Sequence, residues 1–193
     1  MQFSNVDLKK DVFIVAEIGN NHEGNFSIAQ KMITAAARAK ADAVKFQTFV
    51  PELYCDALDN KRRSLLEKFQ LSFEQFELLS HQANSEGLVF FSTPFDLESA
   101  KFLNTIQDVF KISSGDNDFV PLIELICTFG KPTMVSSGLT GLKEVCGIHQ
   151  RWYRNPSAEE LIILHCVSAY PVRPEDACLS LISKLRKQFP KST

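Results

Sequence analysis

The feature that most constrains this chain is a regular alternation of short apolar runs with stretches of helical period. The apolar runs are nearly continuous, as in parallel strands that are covered on both faces. Alternating strands and helices predict an α/β fold with a parallel sheet and right-handed crossovers. The predicted strands are Val12–Gly19, Ala43–Thr48, Leu88–Thr93, Val109–Ser113, Pro132–Ser137 and Leu161–Val167.

The helices between these strands have boundaries that the sequence marks. Ser72 followed three residues later by Gln75 is the pattern of a capping box, and Gly87 is a typical C-terminal stop for that helix. Further helices are predicted at Ser27–Arg38, Lys61–Phe69, Leu97–Leu103, Val120–Thr128, Leu142–Tyr153 and Glu175–Phe189.

Polar or charged residues lie near the carboxyl end of nearly every predicted strand, among them Glu17, Lys45, Lys111 and His165. This distribution is typical of a (β/α)8 TIM barrel, whose site is built from the ends of many strands. Neither a G-x-G-x-x-G turn nor a P-loop is present to favour an open nucleotide-binding sheet. A full barrel needs about 250 residues and eight units. We therefore expect residues 1–193 to form an incomplete TIM barrel of about six βα units that lacks strands 7 and 8.

Composition limits the classes of function. The 193 residues are 45% hydrophobic, with 16 phenylalanines and a net charge of −2. This apolar content excludes disorder as the main state, and the charge gives no field that favours nucleic acid or an anionic membrane. No apolar run is long enough to span a membrane, and the N-terminus has no signal-peptide pattern. We expect a cytoplasmic protein. Its five cysteines and four histidines are scattered, so we expect neither disulfides nor a metal site within the chain.

Lys45 and Lys111 each interrupt a strand that is otherwise apolar. A lysine in a buried strand is costly unless it is paired or meets an anion. At the end of a barrel, two such lysines would form a phosphate or carboxylate site. The alternative is that they extend to solvent or pair with Glu17 or Asp116.

Three hydroxyl-rich turns support the anion site: Ser92-Thr93-Pro94-Phe95, Ser113-Ser114-Gly115 and Ser136-Ser137-Gly138. Hydroxyls beside backbone N–H groups can hold an oxyanion, although ordinary loop and capping chemistry would use the same residues.

Several single residues allow two interpretations each. His22 is a candidate proton carrier or an ordinary surface histidine. His165 is a catalytic group or a buried histidine that hydrogen-bonds within a strand. Tyr170 is part of a substrate wall or a packing residue.

Taken together, six segments resemble the N-acetylneuraminate (sialic acid) synthase family, in the family's order and with compatible spacing. They are Val15–Gly24, Val44–Thr48, Phe91–Phe95, Phe110–Asp116, Lys131–Gly138 and Leu164–Pro171. The resemblance implies a barrel enzyme that condenses phosphoenolpyruvate with an N-acyl amino sugar, such as N-acetylmannosamine, to give a nonulosonic acid and phosphate.

The resemblance also implies roles for the matched residues. Phosphoenolpyruvate would be bound by Lys45, Thr93, Lys111, Ser114, Ser137 and Ser168. The sugar would face Glu17, Gln47 and Tyr170. Asp116 stands at the position of the family's catalytic acid, usually a glutamate, and Glu17 is the second catalytic carboxylate. Ser168 stands where the family usually has asparagine.

A divalent metal, Mn²⁺ or Mg²⁺, activates the sugar aldehyde in that family. Its histidine ligands lie on strands 7 and 8, so we expect no metal ligands within this chain. The C-terminal antifreeze-like domain, which completes the sugar site across the family's homodimer, is expected to be absent as well.

Three functions are therefore open. The first is a sialic acid synthase-type chain that is inactive as this fragment. The second is a non-catalytic remnant that binds phosphoenolpyruvate, or a protein partner through an open strand edge. The third is a class I aldolase that uses Lys45 or Lys111 as a Schiff base.

Overall fold

The structure is a computed structural model that describes residues 12–192 and the backbone of two short strands before them. These strands, β1 (Gln2–Phe3) and β2 (Val6–Asp7), pair antiparallel. The chain divides into two compact units, Met1–Gln107 and Asp108–Thr193. Each unit contains a parallel sheet of three strands.

The sheet of the first unit has the order β3-β4-β5. Its strands are β3 (Val15–Gly19), β4 (Ala43–Thr48) and β5 (Val89–Pro94). The helices are α1 (Phe26–Arg38), α2 (Pro51–Tyr54), α3 (Asn60–Phe69), α4 (Phe73–Ser85) and α5 (Leu97–Leu103).

The core of the first unit lies between this sheet and helices α1 and α4. Phe46 of β4 is at its centre, with its ring centroid 5.7 Å from that of Phe90 and 6.2 Å from that of Phe76. Ile33 of α1 and Leu79 of α4 are fully buried in the same cluster. Burial of each such side chain contributes about 1.5–3 kcal/mol, so apolar packing stabilises the position of β4.

The second unit repeats this plan with the order β6-β7-β8. Its elements are β6 (Phe110–Ile112), α6 (Val120–Thr128), β7 (Thr133–Ser136), α7 (Leu142–Trp152), β8 (Leu161–Leu164), a 3₁₀ turn (Pro174–Asp176) and α8 (Ser180–Gln188). Phe110, Ile126 and Trp152 are fully buried. The Trp152 indole N–H donates to the carbonyl of Glu159 at 2.9 Å, so its one polar group is satisfied.

The α/β fold with parallel sheets, predicted from the alternation of elements, is confirmed. The predicted bounds of β4, α5 and α6 match the observed ones. The predicted capping box is present, because Ser72 Oγ accepts the N–H of Gln75 at 3.2 Å and Gln75 Oε1 accepts the N–H of Ser72 at 2.9 Å. Gly87 follows α4 with a φ of +80°, the left-handed conformation expected at a helix stop.

Three predicted elements need correction. The strand expected at Val12–Gly19 begins only at Val15. The strand expected at Leu161–Val167 ends at Leu164, so His165 lies just beyond it. The helix expected over Glu175–Phe189 is wrong at its start, because a 3₁₀ turn precedes it and α8 begins only at Ser180. Cys178 lies between them with a φ of +47°, which an α-helix cannot contain.

None of the helices in the part of the chain that the structure describes has the length and apolar character to cross a membrane.

Candidate active site

Lys45 is the centre of the polar cluster in the first unit. Its side chain is only 12% exposed, and its Nζ lies 2.9 Å from Glu17 Oε2. The same Nζ donates to Thr93 Oγ1 at 3.2 Å. These contacts follow from strand register, which places Glu17 of β3 beside Lys45 of β4. The ion pair expected as the alternative to an anion site is therefore present. An ammonium has three N–H donors, and these two contacts engage two of them.

Gly19 allows Gln47 to join this cluster. A Cβ atom on Gly19 would lie 3.3 Å from Glu17 Oε1 and 3.8 Å from Gln47 Nε2. The two side chains therefore approach the same glycine. Gln47 is also the register partner of Thr93 in β5. The structure thus brings together the four predicted site residues of the first unit.

The loop after β3 packs into the protein. His22 is 1% exposed, and its ring centroid lies 6.0 Å from that of Phe46. His22 Nδ1 accepts the N–H of Gly24 at 3.1 Å, so the ring proton of the neutral form is on Nε2. Burial lowers the pKa of His22, which favours this neutral form. The interpretation of His22 as an ordinary surface residue is wrong.

Lys111 is the corresponding buried cation of the second unit, at 9% exposure. Its Nζ donates to Ser136 Oγ at 2.6 Å and to the carbonyl of Ile112 at 2.9 Å. Lys111 and Ser136 lie on the neighbouring strands β6 and β7. As in the first unit, a lysine in an apolar strand is held next to a hydroxyl.

Three loops of the second unit meet at Gly138. Its N–H donates to Ser114 Oγ at 3.2 Å. A Cβ atom on Gly138 would lie 2.6 Å from Ser114 Oγ and 2.6 Å from Ser168 Oγ. A larger residue than glycine would therefore displace these hydroxyls. Ser137, the neighbouring predicted ligand, donates its hydroxyl to the carbonyl of Leu164 at 2.9 Å, which leaves the lone pairs of its oxygen as acceptors.

Asp116 lies in the same loop as Ser114. Its carboxylate accepts a hydrogen bond from the hydroxyl of Ser113, and Ser113 Oγ in turn accepts the N–H of Gly115 at 3.2 Å. The carboxylate is thereby oriented by its own loop. The sequence analysis named Ser113 only as part of a hydroxyl-rich turn, whereas the structure shows that its hydroxyl orients the candidate acid Asp116.

Tyr170 and His165 differ in their surroundings. The Tyr170 side chain is 99% exposed, so it does not pack against the residues that the structure describes, and its interpretation as a packing residue is wrong for them. Contact of this ring with a sugar stays a prediction. His165 Nε2 lies 2.8 Å from the carbonyl of Ala177, so the expected hydrogen bond is present, but the residue is only partly buried and lies beyond the strand.

Asn117 was not singled out by any sequence pattern. It is 3% exposed, and its Nδ2 donates to the carbonyls of Ser136 at 2.9 Å and Gly138 at 3.0 Å. The only signal for it is its position directly after the motif that ends at Asp116.

No group of three or more histidine, cysteine, aspartate or glutamate side chains within the described residues could hold a metal ion. All five cysteines are free thiols. The described side chains therefore do not fit the divalent metal that the resemblance implies.

Comparison with known proteins places the chain in a family. Residues 32–193 match the model of the NeuB family. The chain is 35% identical over 206 residues to a pseudaminic acid synthase of Campylobacter jejuni, with 98% of this chain and 59% of the relative covered. It is 32% identical over 195 residues to an N-acetylneuraminate-9-phosphate synthase of Mus musculus, with 94% and 54% covered.

A solved structure gives the same relationship. The N-acetylneuraminic acid synthetase of Leptospira borgpetersenii, crystallised with citrate, superposes with a TM-score of 0.92 at 30% identity, covering 100% of this chain and 67% of that chain. The chain thus spans slightly more than half the length of the two curated relatives. Because the family model matches more than half of its residues, the chain belongs to the NeuB family, which confirms the predicted relationship to sialic acid synthases.

Proposed function

We propose that this chain is part of a synthase that condenses phosphoenolpyruvate with an N-acyl amino sugar, releasing phosphate and forming a nonulosonic acid. The observation that carries this proposal is a lysine held beside a hydroxyl in the strands of each unit. These pairs are Lys45 with Thr93 and Lys111 with Ser136. Ammonium and hydroxyl groups are suited to the phosphate and carboxylate of phosphoenolpyruvate. The names of the relatives support the reaction class.

The roles of the residues follow the resemblance, and the contacts of Lys45, Thr93 and Lys111 support theirs. Ser137 would have to release the carbonyl of Leu164 before its hydroxyl could donate to the anion. We assign phosphoenolpyruvate to Lys45, Thr93, Lys111, Ser114, Ser137 and Ser168, and the sugar to Glu17, Gln47 and Tyr170. Glu17 is ion-paired with Lys45 and 54% exposed, so its second oxygen can accept hydrogen bonds from sugar hydroxyls.

The reaction needs one proton at the sugar. A carbon–carbon bond forms between the methylene carbon of phosphoenolpyruvate and the aldehyde carbon, and the aldehyde oxygen becomes a hydroxyl. We assign the transfer of this proton to Asp116, which a hydrogen bond from Ser113 holds in one orientation. Water completes the balance: its oxygen goes to the carbon that loses phosphate, one of its protons replaces the one that Asp116 gives to the sugar, and the other leaves with the phosphate.

The contacts of Lys45 argue against this lysine as the Schiff-base residue of the aldolase alternative, for which Lys111 is the other candidate. A Schiff base requires the amine nitrogen to be available as a nucleophile, whereas Lys45 Nζ is held by Glu17 Oε2 at 2.9 Å and by Thr93 Oγ1 at 3.2 Å. Borohydride reduction in the presence of pyruvate tests this directly, and a stable lysine adduct in the intact mass would restore the aldolase.

We also keep three predictions of the resemblance as proposals. Residues 1–193 belong to a TIM barrel whose remaining strands and antifreeze-like domain lie outside this chain. The complete protein is a cytoplasmic homodimer. It requires Mn²⁺ or Mg²⁺, with ligands supplied from outside these 193 residues. The similarity to the Leptospira borgpetersenii synthetase, of which this chain covers 67%, supports the first of these.

Two measurements on the 193-residue chain test the function. Calorimetric titration with phosphoenolpyruvate should show binding that weakens in Lys111→Met, since that variant removes a buried cation. Phosphate release from phosphoenolpyruvate, N-acetylmannosamine and Mn²⁺ should be absent, because the chain spans about half the length of its curated relatives. No heat at millimolar phosphoenolpyruvate would refute the binding proposal. Metal-dependent phosphate release would refute inactivity and establish the chain as an enzyme by itself.

A further inference from the structure

The buried carboxamide of Asn117 has no role in the function proposed above, although its contacts converge on one short segment. Its Nδ2 donates to the carbonyl of Ser136 at 2.9 Å and to the carbonyl of Gly138 at 3.0 Å, and it lies 3.5 Å from Thr140 Oγ1. Asn117 follows β6, whereas both carbonyls lie at the end of β7 and in the loop after it. They stand on either side of Ser137.

A carboxamide is well suited to this position. Its NH₂ group carries two donors, and here they meet two carbonyls that are two residues apart. The hydrogen bonds of the Asn117 side chain therefore fix both ends of the three-residue segment Ser136–Gly138. Asn117 is 3% exposed, so bulk water does not compete for these hydrogen bonds while the side chain is in place.

The held segment supplies the partners of the anion-binding groups. Ser136 Oγ accepts from Lys111 Nζ at 2.6 Å, and the Gly138 N–H donates to Ser114 Oγ at 3.2 Å. A shift of this segment would therefore move the hydroxyl that orients Lys111 and the N–H that orients Ser114. Among the described residues, Asn117 forms no hydrogen bond with Lys111 or with Ser114.

We propose that Asn117 is a positioning residue, which fixes Ser136–Gly138 and thereby the geometry of the anion-binding groups of the second unit. The ligand part of this statement rests on the proposed function. An aspartate at this position would be nearly the same size, but its oxygens only accept when ionised and would face two carbonyls. Asparagine is therefore specified by its donors.

The test compares Asn117→Asp and Asn117→Ala with a control. Trp152→Phe is matched, because it removes a buried donor from the carbonyl of Glu159 in the same unit. The first measurement is hydrogen exchange of backbone amides by NMR in the free protein. In both Asn117 variants, exchange of the Gly138 amide should accelerate by about tenfold or more, while amides of β4 are unchanged. Asn117→Ala keeps the test open if the aspartate variant does not fold.

The second measurement is the affinity for phosphoenolpyruvate and for inorganic phosphate. Both Asn117 variants should bind about tenfold more weakly or worse, whereas Trp152→Phe should lower Tm without changing affinity. Unchanged exchange at Gly138 would overturn the proposal, and so would an affinity loss no larger than that of Trp152→Phe. If the unmodified chain binds neither anion, the proposed function fails together with the ligand part of this inference. The exchange data then still decide whether Asn117 holds the segment.

Discussion

The substitution Gly138→Ala probes the convergence of the three loops in the second unit with a single methyl group. The new Cβ would lie 2.6 Å from both Ser114 Oγ and Ser168 Oγ, and 3.0 Å from Ser114 Cβ. Gly138 is not among the residues with positive φ, so alanine introduces no backbone strain there. The effect of the substitution is therefore confined to the two serines and to the loops that carry them.

The size of the effect follows from these distances. Non-bonded heavy atoms prefer separations of about 3.5 Å, so each hydroxyl must retreat by roughly 0.5–1 Å. Overpacking of this kind costs about 1–3 kcal/mol of stability. A hydrogen bond to a charged ligand contributes about 1.5–3 kcal/mol, so losing one would weaken binding by about 10- to 100-fold. We expect a folded protein with strongly reduced affinity for phosphoenolpyruvate.

Isothermal titration calorimetry of Gly138→Ala measures this affinity, and urea unfolding measures the stability. Gly147→Ala is the matched control, because nothing lies within 4 Å of a Cβ there and alanine favours the helix α7. It should retain affinity and unfold at equal or higher urea concentration. If Gly138→Ala binds phosphoenolpyruvate as tightly as the unmodified chain, Ser114 and Ser168 do not hold the ligand and the reasoning fails.

Three further predictions concern a lysine, two buried histidines and a helix cap. Lys45→Met should abolish measurable phosphoenolpyruvate binding while lowering Tm only slightly, because Glu17 is half exposed and regains water; retained affinity in calorimetry would contradict this. Burial lowers the pKa of His22, and burial together with the charge of Lys191 lowers the pKa of His149. Because both histidines bind protons more readily in the unfolded chain, the stability of the fold should fall as pH drops below about 6.5. Urea unfolding at pH 7.5 and 5.5 measures this, and His22→Gln should reduce the difference, whereas an equal difference would exclude His22 as a source. Ser72→Ala removes the cap of α4 and should cost about 1 kcal/mol, and an unchanged Tm would show that the cap contributes nothing.

Much of the fold could be predicted from the sequence because its signals are local. The apolar run Ala43–Thr48 and the capping residues Ser72 and Gln75 each report on their own segment, and the structure follows them. The start of α8 was missed because a residue with positive φ, Cys178, interrupts a segment whose composition favours helix. The short helix α2 was missed as well, although proline at its first position marks it.

The sequence by itself identified Lys45 and Lys111 as candidate functional residues, because each is a cation within an apolar strand. Which groups they meet was decided by strand register, which places Glu17 beside Lys45 and brings Ser136 to Lys111. Such pairings join residues that are 25 or more positions apart, and no local pattern encodes them.

The same reason explains the burial of His22 and the convergence of loops at Gly138. His22 is buried because its loop packs against Phe46 of the neighbouring strand, not because of the residues around it in sequence. Gly138 lies between Ser114 and Ser168, and Asn117 reaches its carbonyl, only because parallel strands align their carboxyl ends. Local preference thus determined the elements of this protein, and the packing of distant elements decided which of its polar residues meet.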